Sequence, residues 1–136
     1  RGLGDVYKRQ EVKIDIAELE YKAKSYAQSD AKKKSTGAWV GGSTLASLLA
    51  SPLLGGGLTI IMAYNTGGDT DVPIAYTMDV KNKYGENYDA LRIFSDSYEK
   101  EYKALVRKKQ GGSAWMGTGL GFAINLAILS ALLSSN

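Results

Sequence analysis

The chain of 136 residues contains no cysteine and no histidine. These two absences exclude a disulfide framework, a zinc site built from those residues, a haem held by histidine, a Ser-His-Asp triad and a cysteine nucleophile. The glycine-rich stretches "GGGLT" and "GTGLGF" do not form a phosphate-binding loop, because the first lacks the Gly-Lys-Ser/Thr ending and neither sits in a strand-to-helix turn. We find no catalytic constellation, so the sequence predicts a protein that is not an enzyme and that holds no cofactor and no metal.

An excess of charge of one sign is also missing. The 17 basic and 14 acidic side chains give a net charge of +3. Residues 1–10 contain three of the basic and one of the acidic side chains, which leaves 14 and 13, a net charge of +1, in residues 11–136. A nucleic-acid-binding domain usually carries a strongly basic face, so no nucleic-acid partner is expected.

What the sequence does have is a separation of charged from uncharged residues. No charged residue occurs from Ser35 to Gly68 or from Gln110 to Asn136, and the charges of residues 11–136 lie in 11–34 and 69–109. A soluble domain of this size usually spreads charge over the exposed faces of its helices. The two uncharged blocks therefore predict a membrane protein whose partner is the lipid bilayer.

A chain of this length forms one domain, and its pattern predicts an all-α fold. The segments of residues 11–136 are a charged amphipathic segment at 11–36, a first transmembrane segment at 37–64, a loop at 65–85, an amphipathic helix at 86–110 and a second transmembrane segment at 111–134. The alternation of Val12, Ile14 and Ile16 also fits a short N-terminal strand. The expected architecture is a membrane helical hairpin of two long helices with charged amphipathic extensions.

Both uncharged blocks are long enough to cross a bilayer. Ser43 to Tyr64 is 22 residues, about 33 Å as a helix, and Ser113 to Leu133 is 21 residues, about 31 Å. The hydrocarbon core of a bilayer is about 30 Å thick. Pro52 lies inside the first block, where we expect a kink.

Small residues recur every four positions in both blocks, a pattern typical of membrane helices that pack closely. Asn125 joins them as an amide that needs a hydrogen-bond partner in lipid. The predicted helix-packing residues are Gly42, Ala46, Ala50, Ser47, Ser51, Gly117, Gly119, Gly121, Ala123, Asn125, Ala127 and Ala131. These ladders either pair the two segments of one chain or join copies into an oligomer with a glycine-lined pore. We favour the first, because two complementary ladders in one chain need no partner.

Basic and aromatic residues flank the two blocks. The stretches "KKKSTGAWVGG" and "RKKQGGSAWMG" each place Ala-Trp after basic residues. A duplication or two solutions to the same interface problem would explain this echo, and we favour the second. The predicted membrane-interface residues are Trp39, Tyr64, Trp115, Lys32, Lys33, Lys34, Arg107, Lys108 and Lys109.

The two basic clusters give conflicting signals for the topology. Each precedes an uncharged block, so two crossings put them on opposite sides of the membrane, against the positive-inside tendency. A first block that turns back at Pro52–Gly57 removes this conflict, but its arms are short and its turn lies in lipid. We therefore expect two crossings, with Trp39 and Trp115 at opposite interfaces and Tyr64 near the side of Trp115.

A pattern over residues 26–134 is formed by Tyr26, Ala27, Asp30 and Ala31, then Ser51 to Leu58, then Tyr98 to Gly121. This pattern resembles that of a group of small two-segment membrane proteins found in Bacteroidota. It implies a membrane protein of the bacterial cell envelope and implies no activity. The expected function is a non-enzymatic membrane or envelope protein that acts through packing with itself or with a membrane-protein partner. A glycine-lined oligomeric pore and a soluble helical bundle are the alternatives.

The first ten residues, "RGLGDVYKRQ", have a separate explanation. They translate the DNA string CGT GGG CTC GGA GAT GTG TAT AAG AGA CAG, which resembles the end of a common transposon-based sequencing adapter. A match over all ten codons is more specific than any other motif in the chain. We expect the native sequence to begin near Glu11, so the lack of a signal peptide says nothing about location.

Overall fold

The computed structural model describes residues 13–135, and the ten adapter-like residues lie outside that range. The elements are α1 (Ile16–Lys33), α2 (Gly37–Leu49), a π-helical turn (Pro52–Gly56), α3 (Gly57–Asn65), α4 (Ile74–Tyr84) and α5 (Tyr88–Ser134). The predicted all-α class is confirmed, since the described part is helical and contains no strand. The short N-terminal strand is absent from it: residues 13–15 have no regular structure and α1 begins at Ile16, while Val12 is not described.

Side-chain caps set the starts of the two longest helices. Asp15 precedes α1, and its carboxylate accepts a hydrogen bond from the backbone N–H of Glu18 at 3.0 Å. Asn87 precedes α5, and its amide oxygen accepts from the N–H groups of Asp89 and Ala90 at 3.0 and 3.2 Å. Each cap satisfies backbone donors that the first turn of a helix leaves unpaired.

Helices α1 and α2 follow one another along α5 in the same direction as α5. The hydroxyl oxygens of Thr36 and Ser113 are 2.6 Å apart at the start of α2. Further along, the amide of Asn125 donates to the carbonyl of Ser47 at 3.2 Å. Sequence numbers therefore rise together on both partners.

Helices α3 and α4 run in the opposite direction to α5. Asp69, in the segment between them, has a carboxylate oxygen 2.5 Å from the ammonium of Lys103. Near the end of α4, Lys83 pairs with Glu18 at the start of α1. The described chain is thus a long three-rod bundle whose rods are α1–α2, α3–α4 and α5.

Helix α5 joins two chemically different halves of this bundle. Its 47 residues extend over about 70 Å and run unbroken through Gly111 and Gly112. We call α1, α4 and residues 88–109 of α5 the charged half, and α2, the π-helical turn, α3 and residues 110–134 the apolar half. The charged half has a core of tyrosine, phenylalanine and aliphatic side chains, and the apolar half has a small cluster around Ile60, Ala63 and Ala114.

The structure corrects the expectation of two long membrane helices. Helix α2 ends at Leu49, the chain reverses through Pro52–Gly56, and α3 returns alongside α5. At 13 and 9 residues, α2 and α3 measure about 20 and 14 Å, each shorter than a hydrocarbon core. The first uncharged block is therefore a helical hairpin whose two ends lie at the same level of the bundle.

The backbone hydrogen bonding of the reversal explains how it is built. Ser51 adopts a φ of 130°, and its carbonyl accepts from the N–H groups of Gly55 and Gly56 at 2.9 and 3.4 Å. The Ser51 hydroxyl accepts from the N–H of Leu54 at 3.1 Å. Thr59 donates to the carbonyls of Gly55 and Gly56 at 3.1 and 2.8 Å. The turn thus satisfies these backbone groups within the chain, as a reversal surrounded by apolar groups requires.

The expectation of a loop over 65–85 is wrong in its second half, where α4 occupies Ile74–Tyr84. Gly67 and Gly68, with φ of 78° and 79°, belong to the connection before it. Val80 and Tyr84 are buried in the core of the charged half, and this packing stabilises a helix that the polar local sequence does not predict.

Candidate helix-packing and membrane-interface site

The closest helix contact in the apolar half joins α2 to α5. Ser43 and Ser47 are fully buried against Gly117 and Gly121. A Cβ atom on Gly117 would lie 2.0 Å from the Ser43 hydroxyl and 2.2 Å from the Val40 carbonyl oxygen. A Cβ atom on Gly121 would lie 2.6 Å from the Cβ of Ser47. The contact therefore requires glycine at both positions of α5, as in close membrane helix pairs.

Three polar side chains of this contact are paired within the chain, whereas the buried hydroxyl of Ser47 has no hydrogen-bond partner among the described residues. Ser43 donates to the carbonyl of Trp39 at 2.7 Å. Thr44 donates to the carbonyls of Val40 and Gly117 at 2.8 and 3.0 Å, so it links the two helices. Asn125 links them again through its bond to the Ser47 carbonyl, so the amide has the hydrogen-bond partner that the sequence predicts it needs.

The predicted helix-packing residues divide into three groups. Ser47, Gly117, Gly121 and Asn125 lie in the α2–α5 contact. Ala46 and Ser51 belong to the reversal, where a Cβ on Gly55 would lie 2.0 Å from the Ala46 carbonyl oxygen. The remaining residues are exposed on the outside of the bundle: Gly42, Ala50, Gly119, Ala123, Ala127 and Ala131.

Two contacts of this site were not expected from sequence. A Cβ on Gly111 would lie 2.3 Å from the ring of Tyr64, and a Cβ on Gly56 would lie 2.4 Å from Thr118. Both glycines occur in runs of two or three glycines, residues that weaken a helix. The runs Gly111–Gly112 and Gly55–Gly57 were the available signal, but a run does not tell which of its members meets a neighbour.

Lys109 of α5 binds the linker between α1 and α2, where the charged half meets the apolar half. Its ammonium donates to the carbonyls of Ala31, Lys32 and Lys34 at 3.4, 2.8 and 2.7 Å. These carbonyls belong to the last turn of α1 and the linker after it, where unpaired acceptors and the negative end of the helix dipole meet. Lys109 was predicted to be a membrane-interface residue that reaches toward lipid phosphates. Its ammonium instead binds the linker between α1 and α2.

A second set of contacts joins α5 to the segment that follows α3. Arg107 donates from Nε to the Gly67 carbonyl at 3.0 Å. With its amide oriented to satisfy both neighbours, Gln110 donates to the Thr66 carbonyl at 2.9 Å and accepts from the indole N–H of Trp39 at 3.3 Å. The start of α2 and the end of α3 thus meet α5 at one level.

The two tryptophans lie at the same level, not at opposite ends of the apolar half as the two-crossing topology requires. The stretches "KKKSTGAWVGG" and "RKKQGGSAWMG" lie side by side because α1–α2 and α5 are parallel, with Thr36 beside Ser113. Trp39 is half-buried against Gln110, and Trp115 is 60% exposed. The basic clusters at 32–34 and 107–109 consequently share one end of the apolar half, so the conflict between them disappears.

A hydrogen-bonded cluster of tyrosines around the carboxylate of Asp30 stabilises the charged half. Asp30 accepts hydrogen bonds from the phenols of Tyr76 and Tyr98 at 3.0 and 2.9 Å, and Tyr26 stacks on Tyr76 at 4.1 Å between ring centroids. Burial acts to raise the pKa of Asp30, but the bonds from Tyr98 and Tyr76 and the nearby Lys33 outweigh it, so the pKa lies below its ordinary value. Burial and the bond to Asp30 raise the pKa of Tyr98. The cluster ties α1, α4 and α5 together.

Within residues 13–135, α5 is the one helix long and apolar enough to cross a membrane by length and composition. Only 17% of its apolar stretch of 18 residues is buried in the bundle, whereas the core helix of a soluble protein is mostly buried. Comparison of the chain with known protein families, with curated proteins and with solved structures finds no match.

Proposed function

We propose that the chain is a non-enzymatic integral membrane protein of the bacterial envelope that acts through helix packing. In this proposal residues 110–134 of α5 cross the bilayer, and the α2–α3 hairpin enters and leaves it from one side. The charged half stands in water on that same side. The basic clusters at 32–34 and 107–109 then mark a single membrane interface.

The observation that supports the proposal most is the exposed apolar surface of the apolar half. Leu49 and Leu53 are each 87% exposed, and Leu133 is 78% exposed. Large apolar side chains cover α2, the reversal, α3 and the end of α5 without a charged residue among them. Soluble monomers rarely expose a continuous apolar surface of this kind, whereas lipid solvates it. A soluble bundle would need a partner to cover nearly all of it.

The polar groups of the apolar half argue for an anchor and against a pore. A water-filled pore needs hydroxyl and amide groups that face the lumen. Thr44 and Asn125 instead bond backbone carbonyls of the same chain, and Ser43 bonds its own helix. The hydroxyl of Thr44 and the amide N–H of Asn125 therefore join α2 to α5, and the hydroxyl of Ser43 stays within α2.

The exposed small residues of α5 supply the surface for packing. Gly119, Ala123, Ala127 and Ala131 repeat every four residues on the outside of the bundle. A Cβ on Gly119 would meet no atom of the chain within 4 Å. Such a ladder suits close approach of another membrane helix, from a second copy or from a membrane-protein partner.

Membrane fractionation tests the proposal. Expressed in bacterial cells, the protein is expected to stay in the membrane pellet after alkaline extraction and to need detergent for release. The variant L126K/L129K is expected to lose much of this retention, because each lysine costs about 2.5–3.5 kcal/mol at the centre of a membrane helix. The matched control A75K/A104K adds the same charge to exposed positions of the charged half and is expected to remain in the pellet. Wild-type protein in the supernatant without detergent would overturn the proposal in favour of a soluble bundle.

A further inference from the structure

A groove runs between the end of α1 and α5, just on the charged side of the apolar half. Its volume is about 540 Å³, and its walls come from the last two turns of α1 and from residues 105–109 of α5. The residues that line it are Gln28, Ala31, Lys32, Leu105, Lys108 and Lys109. Ala31 and Leu105 give it an apolar floor, and the lysines give it a basic rim.

The ammonium groups of the three lysines that line the groove differ in their contacts. Lys109 uses its ammonium on three backbone carbonyls and so neutralises the carbonyl end of α1, which would otherwise repel an anion from the groove. The ammonium groups of Lys32 and Lys108 form no ion pair with any residue in the range 13–135. No acidic side chain lines the groove. The groove is therefore lined by an apolar floor and by two lysines that have no ion pair within the described residues.

The groove lies where a lipid headgroup would be. The paired stretches that begin at Lys32 and Arg107 place Lys108 seven residues, about two helical turns, before Trp115, and Lys32 seven residues before Trp39, the aromatic residues at the start of the apolar half. A water-soluble anion would need only the lysines, whereas a lipid would also use an apolar floor that continues toward the hydrocarbon.

The outer face of α5 continues from the groove into the apolar half. Lys108, Trp115 and Phe122 are seven residues apart and so lie on one face of the helix. Gly112 and Gly119 lie between them, and a Cβ on either would meet no atom within 4 Å, so this face is open between its large side chains. Trp115, Gly119 and Phe122 also line an apolar groove of about 620 Å³ beside Pro52 and the start of α3.

We infer that the groove between α1 and α5 binds the phosphate of an anionic phospholipid through Lys32 and Lys108, with an acyl chain along the Lys108–Phe122 face. This inference rests on the proposed membrane insertion, since only an inserted protein presents the groove at headgroup level. Anionic headgroups attract basic residues near the membrane surface by about 1 kcal/mol each. That energy corresponds to roughly fivefold per lysine, so two lysines together correspond to more than tenfold.

Native mass spectrometry of the full chain in detergent, with equal amounts of phosphatidylglycerol and phosphatidylcholine, tests this inference. The wild-type protein is expected to retain phosphatidylglycerol in excess. The variant K32Q/K108Q is expected to lower the ratio of bound phosphatidylglycerol to phosphatidylcholine at least tenfold. The control K81Q/K100Q removes two exposed lysines of the charged half that also lack an ion pair within the described residues, and its ratio is expected to match wild type.

The inference is overturned if K32Q/K108Q keeps the wild-type ratio, or if the control loses as much. It is also overturned if glycerol phosphate, which has the anion without the acyl chains, displaces the lipid at equal concentration. Flotation with pure phosphatidylcholine vesicles reports separately on membrane insertion. Wild type and K32Q/K108Q are both expected to float, and failure of both to float would overturn the proposed function and the inference with it.

Discussion

The hydroxyl oxygens of Thr36 and Ser113 lie 2.6 Å apart although 77 positions separate them in the chain. Thr36 stands at the start of the first uncharged block and Ser113 near the start of the second. Their contact therefore puts the beginnings of both blocks at one level of the bundle. With α3 returning to the same level at Thr66 beside Gln110, only α5 continues to the far end of the apolar half.

The α2–α5 contact predicts opposite effects for two glycines of α5. Gly117→Ala places a Cβ against the backbone of Val40 and is expected to lower the free energy of unfolding by about 1–3 kcal/mol. Gly119→Ala places its Cβ in open space and is expected to raise that free energy by about 0.5–1 kcal/mol, because alanine favours a helix more than glycine does. Thermal unfolding in detergent, followed by circular dichroism, measures both. Equal melting temperatures for the two variants would contradict the contact.

Lys109 and Lys108 are adjacent in sequence but differ in their contacts. Lys109→Gln removes a cation that holds three carbonyls at the end of α1, so the linker before α2 is expected to loosen at a cost of about 1 kcal/mol. Lys108→Gln is expected to leave the linker unchanged, since its ammonium forms no ion pair in the described part of the chain. Hydrogen exchange at residues 34–37 is the readout. Equal exchange rates in the two variants would contradict the role of Lys109.

The pKa of Asp30 predicts that the charged half loses stability in acid. A carboxylate whose pKa is lower in the folded than in the unfolded protein stabilises the fold above its unfolded pKa, about 3.9, and loses that contribution as the pH falls through the lower folded pKa. Asp30→Asn is expected to remove this pH dependence and to lower the free energy of unfolding at pH 7 by about 1–3 kcal/mol. Asp96→Asn is the control, because Asp96 forms no ion pair within residues 13–135. Melting curves from pH 7 to pH 2 compare the three proteins, and a loss of stability in acid as large in Asp30→Asn as in the wild type would contradict the assignment.

The sequence predicted the helical class and the division between charged and apolar halves, because both depend on patterns that extend over many residues. It did not predict the reversal at Pro52–Gly56, although the conflict between the basic clusters pointed to it. The deciding feature, acceptance of three N–H groups by the carbonyl and hydroxyl of Ser51, is a local geometry that composition does not encode. For the same reason the ladders did not tell Gly117 from Gly119: only the register of α2 on α5 makes one of them a contact.

Labelling of single cysteines in sealed vesicles tests the central claim, which is that the first uncharged block enters and leaves the membrane on one side. The chain has no cysteine of its own, so Ser35→Cys, Thr66→Cys and Ser135→Cys each give a single reactive thiol at an exposed position. A membrane-impermeant maleimide is expected to reach positions 35 and 66 from the same side of the membrane and position 135 from the other. Labelling of 35 and 66 from opposite sides would contradict the re-entrant hairpin and restore two crossings.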